Sequence, residues 1–212
     1  MIYQLADIVR DVKVALDENM SSEELLALED VETLSMEDII KSKVCEGIRR
    51  VESTAPISML DSGVNLPDAI FWQEMGSGFV VLPDDFMRLM VFKMSDWERP
   101  LYGAITADNP IYAKQSSRYK GVRGNTQKPV CAVVARPEGR VLEFFSCNDK
   151  GATMEMGVYR PYPLLDEYGG VEISERCYMA VVYVIGALTL MTYGATDKAT
   201  GLIELSKSIL EQ

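Results

Sequence analysis

Hydrophobic residues recur every three or four positions near the N-terminus, with charged residues between them. This spacing places the apolar side chains on one face of a helix. The residues of that face are Ile2, Leu5, Val9, Val12 and Leu16. The pattern therefore predicts a first helix that already includes Ile2.

A second helix is predicted to start at Ser35, because Ser35 and Asp38 have the spacing of a capping box. It continues to about Ser53, and Pro56 ends it. Its apolar stripe consists of Ile40, Val44, Ile48 and Val51. Gly47 lies beside the stripe, and a glycine in mid-helix costs about 1 kcal/mol relative to alanine. We expect another helix to approach closely at Gly47, which would offset this cost.

The most apolar run extends from Tyr178 to Tyr193 and predicts a helix that is buried on nearly every side. As a helix this run would be roughly 24 Å long, which is shorter than the roughly 30 Å hydrocarbon core of a membrane. We interpret it as a core helix, capped by Ser174, that begins at about Glu175. Gly194 fits the position just after its end.

Thr196 is predicted to cap a last helix, antiparallel to the previous one because the link is short. One face of this helix contains Ala199, Leu202, Leu205 and Ile209.

Short apolar runs separated by turn residues fill the middle of the chain and predict antiparallel strands. These runs are 69–74 paired with 79–82, then 87–94, a short run at 101–106, 130–135 paired with 140–147, and 154–160. A single helical turn is predicted at 109–115, and 164–171 is predicted to be a loop.

The order of these elements predicts an α+β fold, a helical bundle from the N- and C-terminal helices with an antiparallel β-sheet insertion. Residues 1–56 and 174–212 would form the bundle, and residues 57–173 the β-rich insertion.

The composition of the chain excludes several classes of function. The net charge is −11, which makes the chain a poor clamp for nucleic acid because such affinity comes mostly from lysine and arginine on phosphates. Histidine is absent, which excludes chemistry that needs an imidazole. The four cysteines, Cys45, Cys131, Cys147 and Cys177, lack metal or redox spacing and are interpreted as buried thiols from a reducing compartment.

Candidate chemistry is sparse. The acid pairs Asp84–Asp85 and Asp96…Glu98 lack the spacing of a calcium loop. The glycine loops at 76–78 and 121–125 match neither a P-loop nor a dinucleotide fingerprint. We therefore predict no catalytic residue, no cofactor and no metal site. The acidic segment 17–32 predicts only a short capped turn at 25–29.

Surface contacts are the better candidates. A polar loop over 116–128 is basic, and it is either a solvated loop or a contact for an acidic partner or nucleic acid. Trp97 is either a core or sheet-edge anchor stacked on Arg99 or an interface residue. The last face of the long apolar helix is covered either by its own chain or by a neighbouring subunit. The candidate interface residues are Trp97, Arg99, Arg118, Lys120, Arg123, Lys128, Tyr183 and Met191.

Several segments resemble a known family. VLPDDFMRL (81–89) leading to WERP (97–100), KPVCA (128–132), LEFFSC (142–147) and the run from AVVY (180–183) to TYG (192–194) are similar to head-to-tail connector proteins of tailed bacteriophages. The likeness is to the adaptor, ring or tail-tubular type of short-tailed phages, including crAss-like phages, and extends from about Ser35 onward.

The resemblance implies a non-enzymatic virion protein, made in the host cytoplasm, that forms a homo-oligomeric ring, usually of twelve copies, below the portal protein. Its partners would be the portal and other tail or ring proteins, with no membrane and no cofactor. DNA would pass through the ring without specific binding, which suits an acidic bore.

Two alternatives stay open. One is a small carboxylate-dependent hydrolase or nucleotide-handling enzyme, and the other is a non-viral scaffold.

Overall fold

The computed structural model describes residues 1–19, 35–119, 121–148 and 150–211. The turn predicted at 25–29 and the candidate interface residue Lys120 lie outside these ranges. Within them the chain is a mixed α and β protein, as predicted. It divides into two compact units, Met1–Asp61 with Pro163–Gln212, and Ser62–Tyr162. We call the first the helical unit and the second the β unit.

The elements in chain order are β1 (Ile2–Gln4), α1 (Leu5–Asn19), α2 (Met36–Glu52), β2 (Val64–Asn65), β3 (Ile70–Trp72), β4 (Gly78–Val81), β5 (Phe86–Met94), β6 (Ile105–Thr106), α3 (Pro110–Ala113), β7 (Cys131–Arg136), β8 (Gly139–Phe144), β9 (Met154–Pro161), β10 (Gly170–Glu172), α4 (Tyr178–Thr192) and α5 (Thr196–Leu210).

In the helical unit, α1, α2 and α5 all pack against α4. This position explains why α4 needs so few polar residues, since most of its surface is core. The apolar stripe of α2 is buried as predicted. An ideal Cβ at Gly47 would lie 2.5 Å from Ile185 Cγ1, which confirms the close helix approach.

The predicted start of α2 is also confirmed. The Asp38 backbone N–H donates to Ser35 Oγ over 3.2 Å, and the Ser35 hydroxyl donates to the Asp38 carboxylate over 2.6 Å. These bonds satisfy one of the backbone donors that a helix start leaves free.

The predicted start of the first helix is wrong. Ile2–Gln4 forms β1, which pairs antiparallel with β10, and α1 begins only at Leu5. The predicted loop at 164–171 therefore ends in a strand. The pairing also places β10 in the helical unit, although the sequence pattern assigns 57–173 to the β insertion.

Two predicted caps are corrected. Ser174 precedes a short 3-10 turn, Glu175–Cys177, and its hydroxyl accepts from the Asp61 backbone N–H instead of capping that turn. Thr196 is the first residue of α5 and Ala195 occupies the cap position. Leu205, which lies on the predicted apolar face of α5, is exposed, while Ser206 beside it is buried.

By length and composition, Glu175–Thr192 is the one described helical stretch that would be sufficient to cross a membrane. More than half of it, 56%, is buried inside the protein, which is typical of a core helix.

The described residues of the β unit form two sheets. Strands β2, β9 and β5 form one, and β3, β4, β8, β7 and β6 form the other. The predicted hairpins β3–β4 and β7–β8 are confirmed. The predicted strand at 101–106 shortens to β6, which runs parallel to β7. The single helical turn predicted near 109–115 is α3 with the 3-10 turn that follows it.

The two faces of the five-stranded sheet differ. One face contributes Leu142 and Phe144 to the larger core of the β unit. The other face carries Phe79, Val141 and Val134, with Tyr112 of α3 packed over them. Polar side chains also gather on this second face.

Candidate functional site

Trp97, predicted as a core anchor or an interface residue, is in the core. It is 3% exposed, and its ring lies edge-on to Phe92 at 5.5 Å and Phe144 at 6.5 Å. These contacts replace the predicted stacking on Arg99, which is exposed. Burial leaves Trp97 without a surface that a partner could contact.

The described cations of the basic loop differ in exposure. Arg118 and Lys128 are exposed, whereas Arg123 is half-buried and donates through Nη1 to the Met75 carbonyl over 3.0 Å. The loop is fixed by further bonds. The Gly124 N–H donates to the buried Gln115 side chain, and the Glu98 N–H donates to the Thr126 carbonyl.

The two candidates on α4 are only partly covered by their own chain. Tyr183 is half-buried and Met191 is exposed. The rest of the helix from Ala180 to Leu190 is buried apart from Tyr183 and Val184. The alternative that the chain covers its own long helix therefore holds for most of α4 but not for these positions.

An apolar groove of about 170 Å³ lies between α2, α4 and α5. Its apolar wall contains Val184, Ala187, Leu188, Ile203 and Leu210, and Arg50 and Lys207 are among its polar lining residues. We call it the helical groove. It combines apolar surface with Lys207 and with Arg50, whose guanidinium is paired with Glu46 over 2.7 Å.

A second uncovered apolar surface lies in the same unit, in the loop 163–168, which we call the Leu164 loop. Leu164 is 73% exposed and Tyr168 is 87% exposed, and Asp166 and Glu167 lie between them. Asp166 Oδ1 accepts from the backbone N–H groups of Tyr168 and Gly170 over 2.8 and 2.7 Å. The turn is therefore held in one shape while its apolar side chains face solvent.

The polar face of the five-stranded sheet contains a buried ion pair. The Arg136 guanidinium donates to Glu143 Oε1, and the Tyr112 hydroxyl donates to Glu143 Oε2 over 2.9 Å. Arg136 also lies over the Phe79 ring at 4.7 Å, and the Gln73 amide oxygen accepts from it once the amide is oriented to suit its neighbours. Burial and the bond to Glu143 raise the pKa of Tyr112.

This pair forms part of a pocket of about 510 Å³, which we call the Arg123 pocket. The lining residues are Met75, Ser77, Tyr112, Ala113, Gln115, Ser116, Arg123, Arg136, Glu143 and Phe145. It joins the turn before β4, helix α3, the basic loop and the β7–β8 hairpin.

The Arg123 pocket is absent from the sequence predictions. The predicted β7–β8 hairpin could have indicated that Arg136 and Glu143 lie together. Arg136 pairs with Gly139, so residues 139, 141 and 143 lie on the same sheet face as Arg136. Tyr112 and Arg123 reach the pocket through tertiary packing, for which the sequence pattern has no local signal.

One residue of each predicted acid pair accepts an ordinary hydrogen bond. Asp85 accepts from the Tyr159 hydroxyl, and Asp96 Oδ2 accepts from the Asn148 N–H. Among the residues that the structure describes, no three acidic or cysteine side chains converge as metal ligands would.

Three cysteines, Cys131, Cys147 and Cys177, are buried as predicted, whereas Cys45 is half-buried. Burial raises the pKa of the Cys131 thiol to about 12, so this thiol stays protonated near neutral pH.

No protein-family model matches the chain, and no curated protein matches it. Its function is therefore inferred from the residues and from their geometry.

Proposed function

We propose that the protein is a structural component of a tailed-phage virion, a head-to-tail connector subunit that assembles into a ring of twelve copies. The ring would lie between the portal and the tail and extend the DNA channel. Helices from both ends of the chain would form the bundle that makes the subunit contacts. The sheet-bearing insertion would be available to portal or tail proteins.

The observation that carries the proposal is the presence of two unlike, uncovered surfaces on the helical unit. A closed ring needs a heterologous contact, in which one surface of a subunit meets a different surface of the next. The helical groove is apolar with Arg50 and Lys207 at its lining. The Leu164 loop is apolar with Asp166 and Glu167 beside it. In the proposed contact the exposed apolar residues of the loop enter the helical groove of the next subunit, with the acidic residues of the loop near Lys207, since Arg50 is already paired with Glu46.

The Leu164 loop is also suited to binding because it is already ordered. Two backbone N–H groups hold Asp166, so Leu164 and Tyr168 are presented without a further loss of loop freedom on contact. Preorganisation of this kind leaves more of the apolar burial available as binding free energy.

The acidic charge supports the same role. A subunit with 32 acidic and 21 basic residues would give a bore that repels phosphate, and DNA would slide through it without being held. The exposed cations Arg118 and Lys128 would then be available for an acidic portal or tail protein, and Arg99 and Lys120 are proposed to contribute to that contact.

Electron microscopy and sedimentation of the purified protein, alone and mixed with a portal protein, test the proposal. We expect rings or concentration-dependent oligomers in at least one of these conditions. Leu164→Asp and Ile203→Glu should each abolish the oligomer, because each places charge in the proposed contact. A protein that stays monomeric at all concentrations, also with the portal, would contradict the ring.

Matched controls are available for both variants. Tyr102→Asp changes a comparably exposed residue of the β unit, and Leu205→Glu changes an exposed leucine of α5 outside the helical groove. Both should assemble like the unmodified protein. Loss of assembly in the controls as well would remove the groove and the loop from the proposal.

The enzyme alternative would need a carboxylate that is available to a substrate. Glu143, the buried carboxylate of the Arg123 pocket, has both oxygens occupied by Arg136 and Tyr112. Thermal shift with divalent cations and nucleotides separates the alternatives, since stabilisation would favour the enzyme. Flanking portal and capsid genes would favour the connector over a non-viral scaffold.

A further inference from the structure

The Arg123 pocket concentrates positive charge in an acidic protein. Its charged lining residues are Arg123, Arg136 and Glu143, which leaves one uncompensated cation. Arg136 already contacts Glu143, Gln73 and the Phe79 ring. Its charge is therefore neutralised by the buried Glu143 carboxylate. The uncompensated charge is therefore that of Arg123.

Arg123 uses only some of its hydrogen-bond donors. Its Nη1 donates to the Met75 carbonyl, while its Nε is buried and has no acceptor among the described residues. A buried donor without a partner is costly, so the guanidinium is fixed at this place by its surroundings and not by its own hydrogen bonds alone. A guanidinium on a pocket wall whose charge no neighbouring carboxylate neutralises is a group that a carboxylate ligand would pair with.

Met75, which anchors Arg123, has φ 57° and is the one described non-glycine residue with positive φ. Such a backbone conformation is costly for an ordinary side chain and persists where the surroundings enforce it. The strained residue therefore places its carbonyl where it fixes the guanidinium at the pocket.

The other lining residues indicate which further chemical groups a bound ligand would have. Ser77 and Ser116 donate their hydroxyl protons to the carbonyls of Glu74 and Ala113, so each presents lone pairs that accept a hydrogen bond. Met75 and Phe145 supply apolar surface. A volume of about 510 Å³ is within the range of small-molecule sites.

We propose that the Arg123 pocket binds a small organic acid, one with a carboxylate for Arg123, an apolar body and a hydroxyl or amino donor for Ser77 or Ser116. This inference does not rest on the connector proposal, because the pocket lies within the β unit and uses none of the surfaces proposed for the ring.

The probe is 4-hydroxyphenylacetate, compared with its neutral amide, 4-hydroxyphenylacetamide. Calorimetric titration of the full chain should show saturable binding of the acid and at least tenfold weaker binding of the amide. In ¹H–¹⁵N spectra the acid should shift the backbone amides of Ser77, Ser116 and Gly124. No saturable binding at concentrations up to about 20 mM, or shifts confined to other regions, would overturn the proposal.

Variants assign the binding to the guanidinium. Arg123→Gln should weaken acid binding at least tenfold. The affinity of Arg123→Lys should lie between those of the unmodified protein and Arg123→Gln, because lysine keeps the charge but lacks the planar guanidinium. Arg118→Gln, an exposed arginine of the same loop outside the pocket, is the control and should bind normally. Unchanged affinity in Arg123→Gln would contradict the proposal. If that variant does not fold, the Arg123→Lys titration and the comparison of acid with amide decide.

Discussion

The most deeply buried charge on the polar face of the β unit is that of Glu143, which is 2% exposed. Its partners Arg136 and Tyr112 occupy both oxygens. We expect Glu143→Leu to lower the free energy of unfolding by about 3–5 kcal/mol, since it strands a partly buried guanidinium. Urea denaturation measures the loss.

The double variant Glu143→Leu with Arg136→Met is the control for this prediction. Replacement of both ions by apolar groups removes the stranded charge, so most of the lost stability should return. A double variant as unstable as Glu143→Leu alone would show that the ion pair is not the source of the effect.

Tyr159 gives the β unit a pH dependence at alkaline pH. Burial, with its bond to Asp85, raises its pKa from about 10 to about 12. Between these values the phenol ionises in the unfolded chain but stays protonated in the folded one, so stability falls as pH rises. Below about pH 10 both states are protonated and this contribution is fully present.

We expect Tyr159→Phe to be less stable than the unmodified protein near pH 9 and to lose less stability between about pH 10 and pH 12. Urea denaturation at several alkaline pH values measures both effects. Tyr102→Phe, at an exposed position, should follow the unmodified protein. Parallel curves for Tyr159→Phe and the unmodified protein would count against this assignment.

Candidate contacts were only partly predictable at the scale of single residues. Arg118 and Lys128 are exposed, as a basic loop suggests, but Trp97 is core and Arg123 is drawn into a pocket. The reason is that arginine and tryptophan occur at interfaces and in packed cores alike. Only tertiary contacts separate these two outcomes.

Local signals predicted the elements well. The capping box at Ser35 and the hairpin β7–β8 are set by residues close in sequence, and both form. Strands β1 and β10 were missed because each is three residues long and the two lie far apart in the sequence. Period-two patterning cannot be recognised in so short a segment.

The packing of α2 on α4 depends on Gly47. An added Cβ would lie 2.5 Å from Ile185 Cγ1, and Ile185 is fully buried. We expect Gly47→Ala to destabilise the helical unit by about 1–3 kcal/mol, because overpacking outweighs the better helix propensity of alanine. Thermal unfolding measures the change.

Gly201 on α5 is the matched control, because an added Cβ there has nothing within 4 Å among the described residues. Gly201→Ala should raise the stability by up to about 1 kcal/mol through helix propensity alone. Stabilisation by Gly47→Ala would mean that the helices can separate at no cost, contrary to this packing.

The two ends of the β unit lie next to each other. Val64 pairs with Tyr159 across β2 and β9, and Arg160 donates to the Ser62 carbonyl. The first and last strands of the β unit are therefore neighbours in one sheet. A compact unit whose ends meet in this way can fold without the chain that flanks it.

We expect a fragment of residues 62–162 to fold by itself, because its two apolar clusters lie entirely within that range. Its ¹H–¹⁵N spectrum should be dispersed, with cooperative thermal unfolding. A fragment of residues 70–162 lacks β2, the partner of β9, and should be less stable. A 62–162 fragment with the spectrum of an unfolded chain would show that the β unit depends on the helical unit, and would exclude an independently folded insertion as the portal-facing part of a connector.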